Sequence, residues 1–341
     1  VQVQALFFPM MLLLVGLSTI ITVYVGGIEV MDGRITSGNI AEFIVYVSQL
    51  TFPVTSLGWV ASLIQRAAAS QKRINEFLNT QPEIISKAGE KIDLKGRIEF
   101  KNVNFRYPDT GIKALKNVSF EVKRGEFLAI IGRTGSGKST ISNLLMRMYD
   151  ADSGEIFIDG KAIREIDLNS FRQQTGFVPQ EVFLFSETIR NNISFGVPST
   201  EEGMVEQAAK NAAVYQNIME FEKGFDTLIG ERGITLSGGQ KQRLSIARAI
   251  IKEPQVLIFD DCLSAVDTRT EEEILKNLGR VMQNKTTVLI AHRISTIKNA
   301  DKIIVMDAGE IVEQGNHKSL MNLQGTYFEL YEKQLLEEQE V

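Results

Sequence analysis

The chain has 341 residues, more than one ordinary domain needs, and 44% of them are hydrophobic. Its formal net charge is −5, and the absence of a long basic run argues against nucleic acid as the main partner. The single cysteine, Cys262, excludes a disulfide framework and fits a reducing compartment.

Two uncharged stretches open the chain, at residues 1–28 and 43–65. Each is long enough for the roughly 20 residues that span a bilayer, so we predict two transmembrane helices. The connector 29–42 is mainly acidic, whereas basic residues begin at Arg66, which places the C-terminal end of the second span in the cytoplasm. A signal peptide is the alternative interpretation of the first stretch, but that stretch has no basic leader and no small-residue cleavage site.

The residues after the second span are predicted to continue its helix into the cytoplasm, so the membrane part covers residues 1–78. We interpret residues 79–95 as a linker and residues 96–341 as an α/β domain. Since the chain starts in an apolar stretch without an initiator Met, we expect earlier spans to be absent from it.

The α/β domain is predicted from short β-rich runs separated by helical segments. Its middle part, about residues 170–251, has few buried-strand runs, and this pattern indicates a helical insert within a parallel-sheet core. The fold class is therefore α/β, with a β-subdomain and a helical insert, preceded by two transmembrane helices. A helix is predicted at 141–148, and strands are predicted at 98–105, 118–122, 127–131, 256–260, 287–291 and 302–306.

A glycine-rich segment after the strand at 127–131 fits the phosphate-binding pattern GxxxxGK[ST]. Its glycines let backbone N–H groups surround phosphate oxygens, the lysine can reach the β and γ phosphates, and the next serine can ligate Mg²⁺. The pattern predicts the phosphate-loop core of an enzyme that binds a nucleoside triphosphate together with Mg²⁺. The candidate residues are Gly132, Arg133, Thr134, Gly135, Ser136, Gly137, Lys138, Ser139 and Thr140.

The apolar run 256–259 ends at Asp260. A carboxylate at the end of a core strand beside the phosphate loop is suited to hold Mg²⁺, so Asp260 joins Ser139 as a candidate metal ligand. By itself a strand that ends in aspartate is more typical of a turn or a helix cap. The presence of the phosphate loop in the same domain favours the interpretation of Asp260 as a metal ligand.

The segment from Leu236 to Gln240, LSGGQ, is followed by Lys241-Gln-Arg243, and together with the phosphate loop it resembles the signature of the ATP-binding cassette (ABC) family. With two uncharged spans ahead of the domain, the chain resembles a half-transporter of the exporter type over nearly its whole length. A helix that starts at Ser237 would offer an anion-binding end to the γ-phosphate of ATP held by a second subunit.

The resemblance implies roles for further residues. Tyr107 is similar to the aromatic residue that stacks on adenine, Gln180 to the glutamine that contacts Mg²⁺ and the attacking water, and His292 to the switch histidine near the γ-phosphate. It also implies that ATP is contacted across a dimer interface. The residues implied there are Ser237, Gly238, Gly239, Gln240 and Asp267.

The chain departs from the family after Asp260, where most members have the glutamate thought to polarise the attacking water and this chain has Asp261. Its carboxylate is one methylene shorter and falls back by up to about 1.5 Å. A misplacement near 1 Å costs on the order of 100-fold in rate, so we expect slow hydrolysis at the chain's own site. The chain could be the weak half of a heterodimer, while a homodimer that hydrolyses ATP through Asp261 and His292 stays open.

The predicted function is ATP-driven export across the cell (inner) membrane, with a second half-transporter as partner and the ATP-binding domain in the cytoplasm. The alternative is a nucleotide-binding regulatory half that hydrolyses little ATP itself. A soluble ATPase that acts on nucleic acid is disfavoured by the hydropathy of residues 1–65. The uncharged spans do not identify the transported substrate.

Overall fold

The computed structural model of the protein describes residues 2–85, 90–197, 199, 201, 203–230, 236–264, 266 and 268–339. The chain divides into two compact units, Val1–Glu83 and Ile84–Val341. Each unit has its own packing and is considered by itself.

The first unit is a pair of contacting helices, α1 (Gln2–Met31) and α2 (Ser37–Asn79). Both are long and apolar enough to cross a membrane, by length and composition. Helix α2 has 43 residues. At 1.5 Å per residue it is about 65 Å long, roughly twice the hydrocarbon thickness of a bilayer. It runs without a break through the predicted span and the predicted extension.

The second unit is an α/β domain with two sheets and a group of helices, which confirms the predicted fold class. Its strands are β1 (Ile98–Arg106), β2 (Lys113–Val122), β3 (Phe127–Gly132), β4 (Ser153–Ile158), β5 (Lys161–Ala162), β6 (Thr175–Val178), β7 (Val256–Asp260), β8 (Thr286–Ile290), β9 (Lys302–Asp307) and β10 (Glu310–Gly315).

The helices of the second unit lie mainly between β6 and β7 and at the C-terminal end. They are α3 (Lys138–Leu145), α4 (Leu168–Gln173), α5 (Ile189–Ser194), α6 (Met204–Asn211), α7 (Tyr215–Met219), α8 (Gly238–Ile250), α9 (Thr268–Met282), α10 (Ile294–Ile297), α11 (His317–Leu323) and α12 (Thr326–Gln339), with short 3₁₀ helices at Ile163–Glu165 and Gly224–Asp226.

The larger sheet has six strands in the order β10-β9-β3-β8-β7-β6, and all neighbours except β10 and β9 are parallel. The smaller sheet is antiparallel, in the order β2-β1-β4-β5. Because parallel strands share their carboxyl edge, the segments after β3, β6, β7 and β8 meet at one side of the larger sheet. Every candidate catalytic residue follows one of these strands.

Side chains of the larger sheet alternate between two hydrophobic clusters, as strand geometry requires. Along β3, Ala129 and Ile131 pack with the helical part, while Leu128 and Ile130 pack with the smaller sheet and α3. Strand β7 repeats the alternation. The sheet is therefore covered on both faces, which explains why its strands are continuous apolar runs in the sequence.

Several element boundaries differ from the predictions for local reasons. Helix α3 starts at Lys138 rather than 141, directly after the left-handed Gly137, and it ends at Leu145 because Arg147 takes a positive φ of 47°. Strand β2 begins at Lys113 rather than 118, since its first half pairs with β1 despite its polar residues.

The segment predicted as a linker is packed at its C-terminal end. Ile92 and Leu94 are buried in the cluster under the smaller sheet. The Gln174 side chain accepts a hydrogen bond from Leu94 N at 2.9 Å and donates one to Ile92 O at 2.6 Å. The packing of the second unit therefore begins before residue 96.

Truncation of a buried residue in the central sheet should destabilise the second unit. Ile258 on β7 is fully buried, and Ile258→Ala is expected to cost about 2–5 kcal/mol through lost burial and a cavity. Thermal unfolding of the purified protein measures the effect. The matched control is Ile112→Ala at a side chain that is 61% exposed; equal melting temperatures for the two variants would contradict the assigned core.

Candidate nucleotide-binding site

The phosphate loop connects β3 to α3, and two of its features need glycine. Gly135 and Gly137 have φ values of 80° and 96°, in the region that favours glycine. A Cβ at Gly137 would also lie 2.5 Å from Ala114 O. Arg133 and Thr134 form the start of the turn, and Ser136 N donates to Arg133 O at 3.2 Å. The loop therefore has the backbone form that the motif predicts.

Lys138 is buried and is folded back over the loop. Its Nζ donates to Gly132 O and Arg133 O, each at 2.9 Å. Burial lowers the pKa of Lys138, while the nearby Asp261 and Asp260 act in the opposite direction. The ammonium group thus lies inside the loop, where the phosphates of a nucleotide would be bound.

A buried hydroxyl in the same loop shows that the site fits a phosphate. Ser136 Oγ is buried and has no hydrogen-bond partner among the residues that the structure describes. A buried polar atom without a partner is costly, and a phosphate oxygen would supply one. This orphaned hydroxyl, the buried ammonium of Lys138 and the start of α3 together suit a nucleotide triphosphate.

Asp260, at the end of β7, is hydrogen-bonded to two hydroxyls of α3. Ser139 Oγ donates to Oδ1 at 2.8 Å, and Ser142 Oγ donates to Oδ2 at 2.6 Å. Among the described residues no group of three or more His, Cys, Asp or Glu side chains could hold a metal ion. One carboxylate and one hydroxyl are the kind of partial oxygen shell that Mg²⁺ uses when phosphates and water complete it. Asp260 and Ser139 therefore fit Mg²⁺ bound together with a nucleotide.

The three candidate catalytic residues meet at one oxygen atom. Gln180 Nε2 donates to Asp261 Oδ2 at 3.2 Å, and His292 Nε2 lies 3.7 Å from the same oxygen. Gln180 follows β6, Asp261 follows β7 and His292 follows β8, so the shared carboxyl edge of the sheet brings them together.

The Asp261 carboxyl is in an unusual environment. Its side chain is only 9% exposed. Burial raises its pKa, and Asp260 raises it further, while His292 lowers it. The backbone is held in a left-handed conformation, with φ at 48°, by a hydrogen bond from Asp261 N to Ile290 O at 2.9 Å. A carboxyl with a raised pKa binds a proton more readily, as a general base must.

Tyr107 lies next to the start of α3. Its hydroxyl is 3.1 Å from Thr140 Oγ1, and its ring makes edge contacts with Phe105 and Tyr149. The tyrosine, which directly follows β1 of the antiparallel sheet, is therefore fixed beside the first turn of α3. An aromatic ring there can stack on a base.

The signature residues form the start of α8. Gln240 N donates to Ser237 Oγ at 3.2 Å and Ser237 N donates to Gln240 Oε1 at 2.9 Å, a capping box. Ser237 and Gly238 are exposed, and Gly239 follows in the first turn. Among the described residues no hydrogen bond joins this group to the phosphate loop. Asp267 lies outside the described residues.

Three residues that contact the site were not found by sequence reasoning. Ser142 donates a hydrogen bond to the Asp260 carboxylate. Glu271 accepts one from Arg293, and Gln334 donates one to the backbone carbonyl of His292. Only Ser142 had a local signal, since it stands four residues after Lys138 and thus on the same face of α3. Glu271 and Gln334 had none, because their partners lie 22 and 42 residues away in the sequence.

The fold and the site define a nucleotide-binding ATPase domain of the phosphate-loop class. Residues 115–264 match the family model described as ABC transporter. These residues form the ATP-binding domain of an ABC transporter, as the phosphate loop and the LSGGQ segment predicted.

The chain is similar to exporters over almost its whole length. It is 39% identical over 340 residues to the ATP-dependent lipid A-core flippase of Syntrophus aciditrophicus, covering 99% of this chain and 56% of that protein. It is 38% identical to the multidrug resistance-like ATP-binding protein MdlA of Escherichia coli, covering 98% of this chain and 57% of that protein.

A solved structure is also similar. The chain matches a bacterial Atm1-family ABC exporter with ATP bound, with a TM-score of 0.76 and 38% identity, over 95% of this chain and 56% of that one. The chain thus spans a little over half the length of each of these three relatives. The exporter relatives and the two candidate spans mark it as a membrane protein.

Loss of the Ser142 hydroxyl should weaken Mg²⁺-dependent nucleotide binding, because Asp260 then has one hydrogen bond fewer to hold its carboxylate. A hydrogen bond to a charged group contributes about 1.5–3 kcal/mol, so Ser142→Ala should raise the Mg²⁺ concentration for half-maximal binding by roughly 10- to 150-fold. Titration of a fluorescent ATP analogue with Mg²⁺ measures this. Ser153→Ala, at an exposed serine, is the control, and identical titrations for both variants would refute the role.

Proposed function

We propose that the chain drives export across a membrane as half of an ABC transporter, with ATP and Mg²⁺ bound at the phosphate loop. The observation that carries the proposal is the convergence of Gln180, Asp261 and His292 beside Lys138 and Asp260. Gln180 could orient the attacking water, Asp261 could accept its proton, and His292 could stabilise the γ-phosphate. Lys138 could neutralise phosphate charge, and Asp260 could hold Mg²⁺. The exporter relatives support the direction of transport.

The partner in this proposal is a second half-transporter. ATP bound to one phosphate loop would be contacted by Ser237–Gln240 of the other half, because a helix N-terminus with glycines favours phosphate. The exposed start of α8 supports this arrangement. ATP then favours the closed pair of domains only through its higher affinity for the closed state. The bilayer holds α1 and α2, and the inner membrane is the proposed location.

Hydrolysis at the chain's own site is proposed to be slow. One carboxylate oxygen of Asp261, Oδ2, lies near both Gln180 and His292. The side chain of Asp261 is one methylene shorter than the glutamate of most family members. A water molecule in line with the γ-phosphate would therefore lie farther from the base. The same observation favours a second candidate function, a regulatory half that binds ATP and lets its partner hydrolyse it.

Lengthening the base should increase turnover. Asp261→Glu is expected to raise the ATPase rate by up to about 100-fold, because it moves the carboxylate forward by about 1.5 Å. The rate of phosphate release from the intact protein in lipid nanodiscs measures this. Asp226→Glu, at a 75% exposed side chain, is the matched control.

Lys138→Ala should abolish ATP turnover both in the wild type and in Asp261→Glu, since it removes the ammonium group inside the loop. Turnover that survives this change would contradict the proposed site. Turnover that is the same with Asp and Glu at position 261 would contradict the geometric explanation of slow hydrolysis.

A bulky cation at the start of α8 should prevent closure of the two domains, because it blocks the surface offered to the partner's nucleotide. Ser237→Arg is therefore expected to lose the short-distance population that ATP produces. Electron paramagnetic resonance measures this distance between spin labels on Lys276→Cys of the two halves. The native Cys262 is buried and therefore shielded from labelling. Gln216→Arg, exposed on α7, adds the same charge as a control; closure that is normal in Ser237→Arg would disprove the role.

A further inference from the structure

The backbone that carries His292 is bound on both sides by one amide group. Gln334, on α12, donates from Nε2 to His292 O at 2.5 Å. Its Oε1 accepts from Ile294 N at 2.7 Å. The two bonds use the donor and the acceptor of the amide, so only glutamine or asparagine chemistry satisfies both, and only glutamine has this length.

The residues that follow His292 are held from another helix. The Glu271 carboxylate, on α9 and 4% exposed, accepts a hydrogen bond from Arg293 Nη1 at 2.5 Å and another from Thr296 Oγ1. The segment from 292 to 296 is therefore fixed by two helices that lie on either side of it in sequence, α9 before and α12 after. Its conformation does not depend on the loop alone.

Helix α12 is itself well anchored. Glu313 accepts hydrogen bonds from Thr326 N at 2.5 Å and from Tyr327 N at 3.1 Å, at the positive end of the helix. Tyr327 is fully buried, and its hydroxyl is 2.8 Å from His317 Nδ1. The contacts fix the start of α12 to β10 and α11, two turns before Gln334. A fixed helix can hold the loop at a defined distance.

The imidazole of His292 depends on this backbone for its place. Its side chain is 41% exposed and lies 3.7 Å from Asp261 Oδ2, so packing alone does not hold it. A shift of roughly 1 Å in a group that contacts the reacting atoms costs on the order of 100-fold in rate.

The geometry points to Gln334 as a positioning residue for ATP hydrolysis: α12 holds the His292 backbone so that the imidazole faces Asp261 and the γ-phosphate. This inference rests on the proposed function. It also makes α12 a part of the catalytic apparatus through its contact with the loop, although no atom of Gln334 reaches the reacting groups.

The test replaces Gln334 by an apolar residue of similar length in the intact protein in nanodiscs. Gln334→Met should lower kcat by roughly 10-fold, for a shift of a few tenths of an ångström, and leave the KM for ATP unchanged. Without nucleotide, hydrogen–deuterium exchange of the peptide that contains Ile294 should become faster, because its N–H loses its acceptor. Glu332→Met, exposed on the same helix, should match the wild type in both measurements.

Two results would overturn the inference. One is wild-type kcat and wild-type exchange in Gln334→Met while the wild type hydrolyses ATP. The other is a loss of nucleotide affinity or melting temperature in parallel with kcat, which would make Gln334 a general structural residue. An inactive wild type would instead contradict the proposed function, and the exchange rate at Ile294 would then decide alone whether Gln334 holds the loop.

Discussion

The carboxylate of Asp260 joins two parts of the sheet that are not neighbours. Strand β7 is separated from β3 by β8, yet Ser139 and Ser142 reach across from α3 to both oxygens of Asp260. These bonds fix the distance between the phosphate loop and the end of β7. Since Asp261 is the next residue, the same bonds also place the candidate base, and the geometry of Gln180 and His292 around it follows from that placement.

The sequence was most informative where function requires a local backbone shape. The phosphate loop could be found because glycines with positive φ, a buried lysine and a helix start must follow one another within nine residues. The apolar runs of β3, β7 and β8 could be found because both faces of the sheet are covered. The spans were delimited by the first charged residue, whereas α1 continues to Met31 because a helix needs no apolar side chains to continue.

Residues that act through tertiary contacts could not be predicted. In the sequence, Glu271 looks like an ordinary acidic residue near a helix start, and Gln334 looks like an ordinary polar residue in the C-terminal helix. Their partners are 22 and 42 residues away in the chain, and no spacing rule connects them. The polar segment before residue 96 presented the same difficulty, because Gln174 supplies its hydrogen bonds from 80 residues later.

The buried hydroxyl of Ser136 has a consequence for the energy balance of the domain. A polar atom that is hidden from water without a partner lowers the stability of the fold by about 1–3 kcal/mol. This hydroxyl lies between the exposed residues Arg133 to Gly135 and the buried Lys138. A ligand that brings an acceptor oxygen to Ser136 would satisfy this hydroxyl, so part of its binding free energy would come from a cost that the empty loop already carries.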